Sequence, residues 1–214
     1  MHFPGVGMNT YFYVDAFNLY FGCCRGTPFK WLDLATLMTV VFPKNPIGKI
    51  KYFTARVLPR PNDPGQNARQ NTYLRALRTI PKLEIYFGHF LTHPVWMSLV
   101  HPIPGQNSSV KVFKTEEKGS DVNLATHIMH DAHEGRFDCA IVVSGDSDLL
   151  APVRIVIEEL KKPVGVLNPQ QRPCRVLQEH ATFYRHIRRS ALAKSQFPPA
   201  LVDAHGTFTK PANW

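Results

Sequence analysis

Four aspartates carry the strongest chemical signal in the chain. Asp15 closes the run YFYVD, Asp121 stands in EEKGSDVNLA, and Asp146 and Asp148 belong to VVSGDSDLL. A carboxylate directly after YFYV is costly to bury unless it is paired, capped or coordinated. Taken as one site, the four supply the oxygen ligands that Mg²⁺ or Mn²⁺ favours. Such a centre polarises a phosphoryl oxygen and acidifies a water until it attacks. Asn18, three residues after Asp15, is spaced to orient a carboxylate or hold a water. Lys118, three before Asp121, is spaced to neutralise a scissile phosphate or orient an acid. Each piece also has a plain structural explanation. SGDSD and Asn18 suit helix caps, Asp121 suits the positive end of a helix, and Lys118 suits a solvated charge run. The three segments together are more specific than any one.

Residues this far apart meet only if the elements bring them to one edge. Residues 10–15 read as a buried strand and 33–41 as a helix capped by Asp33, with Pro43 just beyond. Residues 49–58 read as a strand stopped by PRPNDPG, and 66–80 as a helix with Tyr73, Leu74, Leu77 and Ile80 on its apolar face. Strand character returns at 83–91, 95–100 and 110–114. A helix is predicted over 123–132, a fully apolar strand over 140–143, and a helix over 149–160 with Pro152 in its first turn. A last strand covers 164–167, followed by helical segments to about 193. This alternation predicts an α/β fold, a doubly wound and mostly parallel sheet with helices on both faces. The stretches at 83–100 either join that sheet or form a hairpin inserted at one edge. In such a sheet the carboxyl ends of the strands share one rim, where Asp15 and the SGDSD turn would converge. Gly145 permits the tight bend of that turn.

The chain has 214 residues, 44% hydrophobic, with a formal charge of +9. That suffices for one domain, read here as residues 1–194, followed by a Pro-rich segment 195–214 that is either flexible or packed over the surface. The positive charge favours an anionic partner, nucleic acid first and a membrane surface second. Arg56 is one of many basic residues available to grip a substrate backbone, and Phe17, Tyr20 and Phe21 lie near the site as surfaces for unpaired bases. No apolar run approaches the roughly 18 residues that span a bilayer, and MHFPGVGMNT lacks the pattern of a secretory leader. Four cysteines without a CxxC pair argue against a disulfide framework. A cytoplasmic protein with no membrane partner is expected, with self-association left open. His127, His130 and His133 rotate by roughly 60° per step around a helix, so they do not converge on one ion.

The opening VDAFNLY, the central EEKGSDVNLATHIMHDA and the late VVSGDSDLLAPV resemble, in order and spacing, the NYN domain of the PIN-like nuclease superfamily. The resemblance covers roughly residues 10 to 190. It implies a PIN-like fold and a Mg²⁺- or Mn²⁺-dependent ribonuclease. Asp15, Asp121, Asp146 and Asp148 would be the metal-binding acids, with Asn18 supporting the first. Ser144 and Ser147 would contact coordinated water or phosphate. Residues 93–109 look like an insertion or extended hairpin beyond the common core. A PIN-like module that binds RNA or protein without cutting is the competing reading. A small-molecule phosphohydrolase or phosphoacceptor ranks lower, because the first strand ends DAFN rather than DxD.

Overall fold

The strand Thr10–Asp15 (β1) runs through the centre of the domain, and Phe12, Tyr13 and Val14 are fully buried. The computed structural model describes residues 7–105, 107–212 and 214. From β1 the chain passes into a short helix, Ala16–Leu19 (α1), a π-helical turn, Tyr20–Cys24, and the helix Leu34–Val41 (α2). Asp33 caps α2 as expected, its Oδ1 accepting the Ala35 and Thr36 amides. The strand Ile47–Thr54 (β2), the helix Gln66–Leu77 (α3) and the strand Leu83–Phe87 (β3) follow. Next come two long strands, His89–Ser98 (β4) and Ser109–Lys118 (β5), and the helix Ser120–His133 (α4). The strand Cys139–Val143 (β6) leads through a 3₁₀ turn, Ser147–Leu149, into Leu150–Glu158 (α5). Val164–Asn168 (β7), Arg175–His180 (α6), Phe183–His186 (β8), Arg189–Lys194 (α7), Ala200–Asp203 (β9) and Gly206–Thr209 (β10) complete the order.

Six strands make one parallel sheet in the order β3-β2-β1-β6-β7-β8. The chain winds outward from β1 to β3, returns to place β6 beside β1, and winds outward again. The direction therefore reverses between β1 and β6, and a crevice opens at the carboxyl ends of those two strands. Helices cover both faces. Phe12, Val14, Ile141 and Val143 meet Leu34, Leu37, Met38, Leu74 and Leu77 on one side. Tyr13, Ala140 and Val142 meet Leu124, Ile128, Val153 and Val156 on the other. Double coverage explains why β6 is apolar at every position rather than alternating.

The stretches at 83–100 divide between the two alternatives that the sequence left open. Residues 83–87 join the main sheet as β3, and the hairpin pairs β4 with β5 from His89 opposite Lys118 to Ser98 opposite Ser109. Gly88 marks the exit from the sheet. A Cβ there would fall 2.3 Å from the Glu117 carboxylate and 2.5 Å from the Lys118 carbonyl oxygen, so only glycine lets the chains cross so closely. β4 runs through Pro94, because a two-stranded ribbon has outward-facing positions that need no N–H. The ribbon touches the domain near β1 through Phe90, edge-on to Phe17 at 5.8 Å.

The C-terminal residues, for which the sequence left two states open, pack on the domain. The Asp33 amide donates to the Ser195 carbonyl at 2.8 Å and the Phe197 amide to that of Trp31 at 2.9 Å. The Trp31 indole N–H donates to the Pro198 carbonyl at 2.9 Å, and the Phe197 ring lies 5.8 Å from the Trp31 ring. The β9–β10 hairpin is pinned by Arg75, which forks onto Asp203 with two bonds of 2.7 Å. Phe197→Ala is therefore expected to destabilise the whole domain by about 3 kcal/mol. Urea unfolding should show a lower midpoint with an unchanged slope. An unaltered midpoint would mean that the segment is not part of the cooperative unit. Among the described residues, the four cysteines are free, and no helix is long and apolar enough to cross a membrane.

Candidate active site

Asp15 ends β1 and caps α1 in the same residue. Its backbone is extended, and its Oδ1 accepts the Asn18 amide at 2.9 Å. Its Oδ2 accepts the hydroxyl of Ser144, fully buried just beyond β6, at 3.0 Å. The Ser144 Oγ accepts in turn from the Asp146 amide at 3.1 Å. Asp146 then caps the 3₁₀ turn, accepting the Asp148 amide at 3.0 Å. The capping explanation thus holds for Asp15 and Asp146. The same bonds that terminate β1 and start the turn after β6 aim the carboxylates at one rim.

Asn18 cross-links the rim. Its Oδ1 accepts the Gly145 amide at 2.9 Å and the Gln170 side-chain amide at 3.0 Å. The loops after β1, β6 and β7 meet at that oxygen. Gly145 is required by crowding here, because a Cβ would lie 2.5 Å from the Asn168 Oδ1 and 2.9 Å from the Gln170 Cγ. Asp121 arrives from the first turn of α4. That helix begins after Gly119, whose φ of +95° lets β5 turn sharply. Glu117 secures the junction by accepting from the Ser120 amide at 3.1 Å and the Ser120 hydroxyl at 2.7 Å.

The acids act on one another electrostatically. Burial pushes the Asp15 carboxyl up to about 6, with Asp121 and Asp146 adding to the rise and the donors Asn18 and Ser144 opposing it. Burial raises Asp121 as well, and Asp146, Glu117 and Asp148 push the same way. Asp15 is almost fully enclosed, Asp146 is half-buried, and Ser147 and Asp148 are exposed at the mouth. The donors are all oxygen, which suits Mg²⁺ or Mn²⁺. Among the described residues, no three acidic, imidazole or thiol side chains are already drawn around one point. An octahedral Mg²⁺ site needs only one or two carboxylates with waters and phosphate oxygens, so this donor set fits that ion.

Lys118 and Arg56 sit differently. Lys118 ends β5 with an exposed side chain 3.5 Å from Glu116, and no contact joins it to the four aspartates among the described residues. Arg56 donates to Asn71 at 2.7 Å and lies 4.9 Å from the Phe87 ring centre. Several basic residues that the sequence offered for gripping a backbone are engaged within the protein. Arg69 binds Asp63, Arg75 binds Asp203, Lys49 binds Glu84, and Lys51 is buried against Asp131. His127 packs on Tyr86, with ring centres 4.0 Å apart, in keeping with a structural role.

Sequence reasoning missed Asn168, Gln170 and Glu117. Asn168 ends the apolar strand VGVLN as Asp15 ends YFYVD, so the same rule, a polar residue closing a buried strand, would have found it. It is fully buried and fixes the next loop by accepting the Gln170 amide at 2.9 Å and donating to the Arg172 carbonyl at 2.9 Å.

Comparison with known proteins agrees with this architecture. The family model described as the NYN domain matches residues 10–187. The chain is 30% identical, over 97% of its length, to 6-hydroxy-3-succinoylpyridine 3-monooxygenase HspA of Pseudomonas putida, covering 75% of that protein. In fold it is similar to the crystal structure of a protein of unknown function from Vibrio parahaemolyticus RIMD 2210633. The TM-score is 0.57 at 18% identity, over 92% of this chain and 100% of that one. With the family pattern spanning the sheet and all three acidic segments, the chain belongs to the NYN domain family.

Proposed function

We propose that the protein is a metal-dependent hydrolase of RNA phosphodiester bonds, working at the rim between β1 and β6. The observation that carries this reading is the hydrogen-bonded run Asp15–Ser144–Asp146–Asp148 at the rim, with Asp121 close enough to act on Asp15 and no ion pair to any of the four acids among the described residues. Asp15, Asp121, Asp146 and Asp148 would hold Mg²⁺ or Mn²⁺. Such an ion, when bound, polarises a phosphoryl oxygen and acidifies a water. The chain's own contribution is positioning. Ser144 and the Asn18 amide fix both oxygens of Asp15. Asn18 holds the Gly145 turn, so that Asp146 and Asp148 keep their aim. The net positive charge of the chain draws the polyanion in.

The test is incubation of labelled single-stranded RNA with the protein in Mn²⁺, Mg²⁺ or EDTA, beside the variant Asp146→Asn. Cleavage that needs metal and disappears in the variant is the expected result. Salt-sensitive RNA binding without cleavage, equal in both proteins, would turn the reading to a binding module. A second reading is favoured by the likeness to the Pseudomonas monooxygenase along almost the whole chain. It is oxygenation of a hydroxypyridine carboxylate, requiring dioxygen and an external electron donor. A hydroxylated product formed under those conditions, in a preparation inert toward RNA, would establish it.

A further inference from the structure

Beside the acid rim lies an open cleft of about 530 Å³, in the size range of small-ligand sites. Gly145 and Ser147, which flank Asp146 in sequence, are among its lining residues, which places the cleft beside that acid. Phe21, from the π-helical turn after α1, forms one wall, and Gln170, Arg172 and Pro173, from the loop after β7, form the other.

Both walls are held. Gly22 lies so close to the loop after β7 that a Cβ would stand 2.9 Å from the Pro169 carbonyl carbon and oxygen, which locks the turn bearing Phe21 onto that loop. Asn168 binds the loop from beneath through Gln170 and Arg172, and Gln170 donates across to Asn18. The cleft is thus preformed rather than assembled by its ligand. The chemistry of its lining is specific. Phe21 is 56% exposed, with the Arg25 guanidinium 5.4 Å from its ring centre and the Tyr20 ring edge-on to it at 5.2 Å. The Arg172 guanidinium makes no hydrogen bond among the described residues, in contrast to Arg56, Arg69 and Arg75. An exposed ring, a free guanidinium and side-chain amides together suit a planar heterocycle carrying an anionic group.

We propose that this cleft is a subsite for one unpaired nucleotide adjoining the scissile phosphate, with its base on Phe21 and its phosphate at Arg172. The inference rests on the RNA-hydrolase reading of the acid rim and adds a substrate class to it. Bases in a duplex are stacked on their neighbours and do not reach an aromatic side chain, so the site selects single strands.

The test is fluorescence anisotropy with a single-stranded oligoribonucleotide and with a duplex of the same sequence, across a salt series. Full-length Asp146→Asn serves as the parent, so that the probe survives. Phe21→Ala should weaken single-strand binding roughly 10- to 100-fold with little change for the duplex. Arg172→Gln should lower the slope of log affinity against log salt by about 0.7. Both side chains are exposed, and unchanged thermal melting checks that the variants are folded. If wild-type protein cleaves RNA and both substitutions leave binding unaltered, the subsite is wrong while the hydrolase reading stands. If the wild type neither cleaves nor binds RNA, both fall together. Binding of a hydroxypyridine carboxylate lost in Phe21→Ala, with no RNA binding, would replace the nucleotide by a small heteroaromatic acid.

Discussion

Asp15→Asn is expected to make the protein more stable in EDTA while slowing RNA cleavage on the order of 10³-fold. Asparagine keeps the shape of the aspartate and an oxygen for the Asn18 amide, and the Ser144 hydroxyl can rotate to accept from the new NH₂ group. What disappears is a negative charge enclosed by protein and faced by Asp121 and Asp146. Without a cation that charge opposes folding, so removing it should gain about 1–2 kcal/mol, read as a higher urea midpoint at neutral pH. Adding Mn²⁺ should raise the melting temperature of the wild type and move the variant much less, because a ligand stabilises only the state that binds it. The opposed directions make the result diagnostic. A carboxylate kept for structure alone would lose stability on substitution, whereas one kept for catalysis gains it. A variant that is both less stable in EDTA and fully active would remove Asp15 from the site.

The acids were legible because each sits at a boundary where local chemistry is written in adjacent letters. Apolar strands that end in YFYVD and VVSGD announce both the strand and its exposed end, and the GSDVNLA segment announces a helix start. Parallel winding then places those ends on one rim without further information. The resemblance to the NYN family supplied their common purpose. The side chains that tie the rim together were less visible. Gln170 lies 152 positions from Asn18, and only the strand order β1-β6-β7 brings the ends that bear them within hydrogen-bonding distance. Lys118 shows what spacing alone does not tell: the left-handed Gly119 ends β5 between it and α4, so Lys118 and Asp121 leave from different elements.

The sheet itself followed from the alternation of apolar strands and amphipathic helices, whereas the hairpin did not. Local β propensity at 83–100 says that strands exist but not with whom they pair. Pairing was decided at Gly88, by a contact with Glu117 and Lys118 roughly thirty residues away. The packing of residues 195–214 was undetermined for the same reason. A Pro-rich aperiodic stretch has no face of its own, and its order comes from Trp31 and Arg75.

Lys51 underlies the second large effect. It lies inside β2 between Ile50 and Tyr52, with its ammonium 2.5 Å from Asp131 and 3.3 Å from the His127 Nδ1. Asp131, fully buried on α4, also accepts the Tyr13 hydroxyl at 2.7 Å and the Arg136 guanidinium at 2.9 Å. Burial alone would raise that carboxyl, but Lys51, Tyr13 and Arg136 together hold it below the usual carboxylate range. Asp131→Ala would leave a buried ammonium without its counter-charge and the Tyr13 hydroxyl without an acceptor, a loss of about 4 kcal/mol. Because the folded carboxyl is held below its unfolded value, its contribution is complete above the ordinary range near 3.8 and fades as pH falls through the folded value. The acid limb of the wild-type stability curve should therefore be steeper than that of Asp131→Ala, as urea midpoints between pH 2 and 7 would show. Replacing Lys51, Asp131 and Tyr13 together by Met, Leu and Phe should recover much of the loss, since matched apolar groups substitute well for a buried pair. If the triple variant stays as unstable as Asp131→Ala, the network does more than satisfy its own members. It would then set how α4 lies on the sheet, and with it the position from which Asp121 reaches the rim.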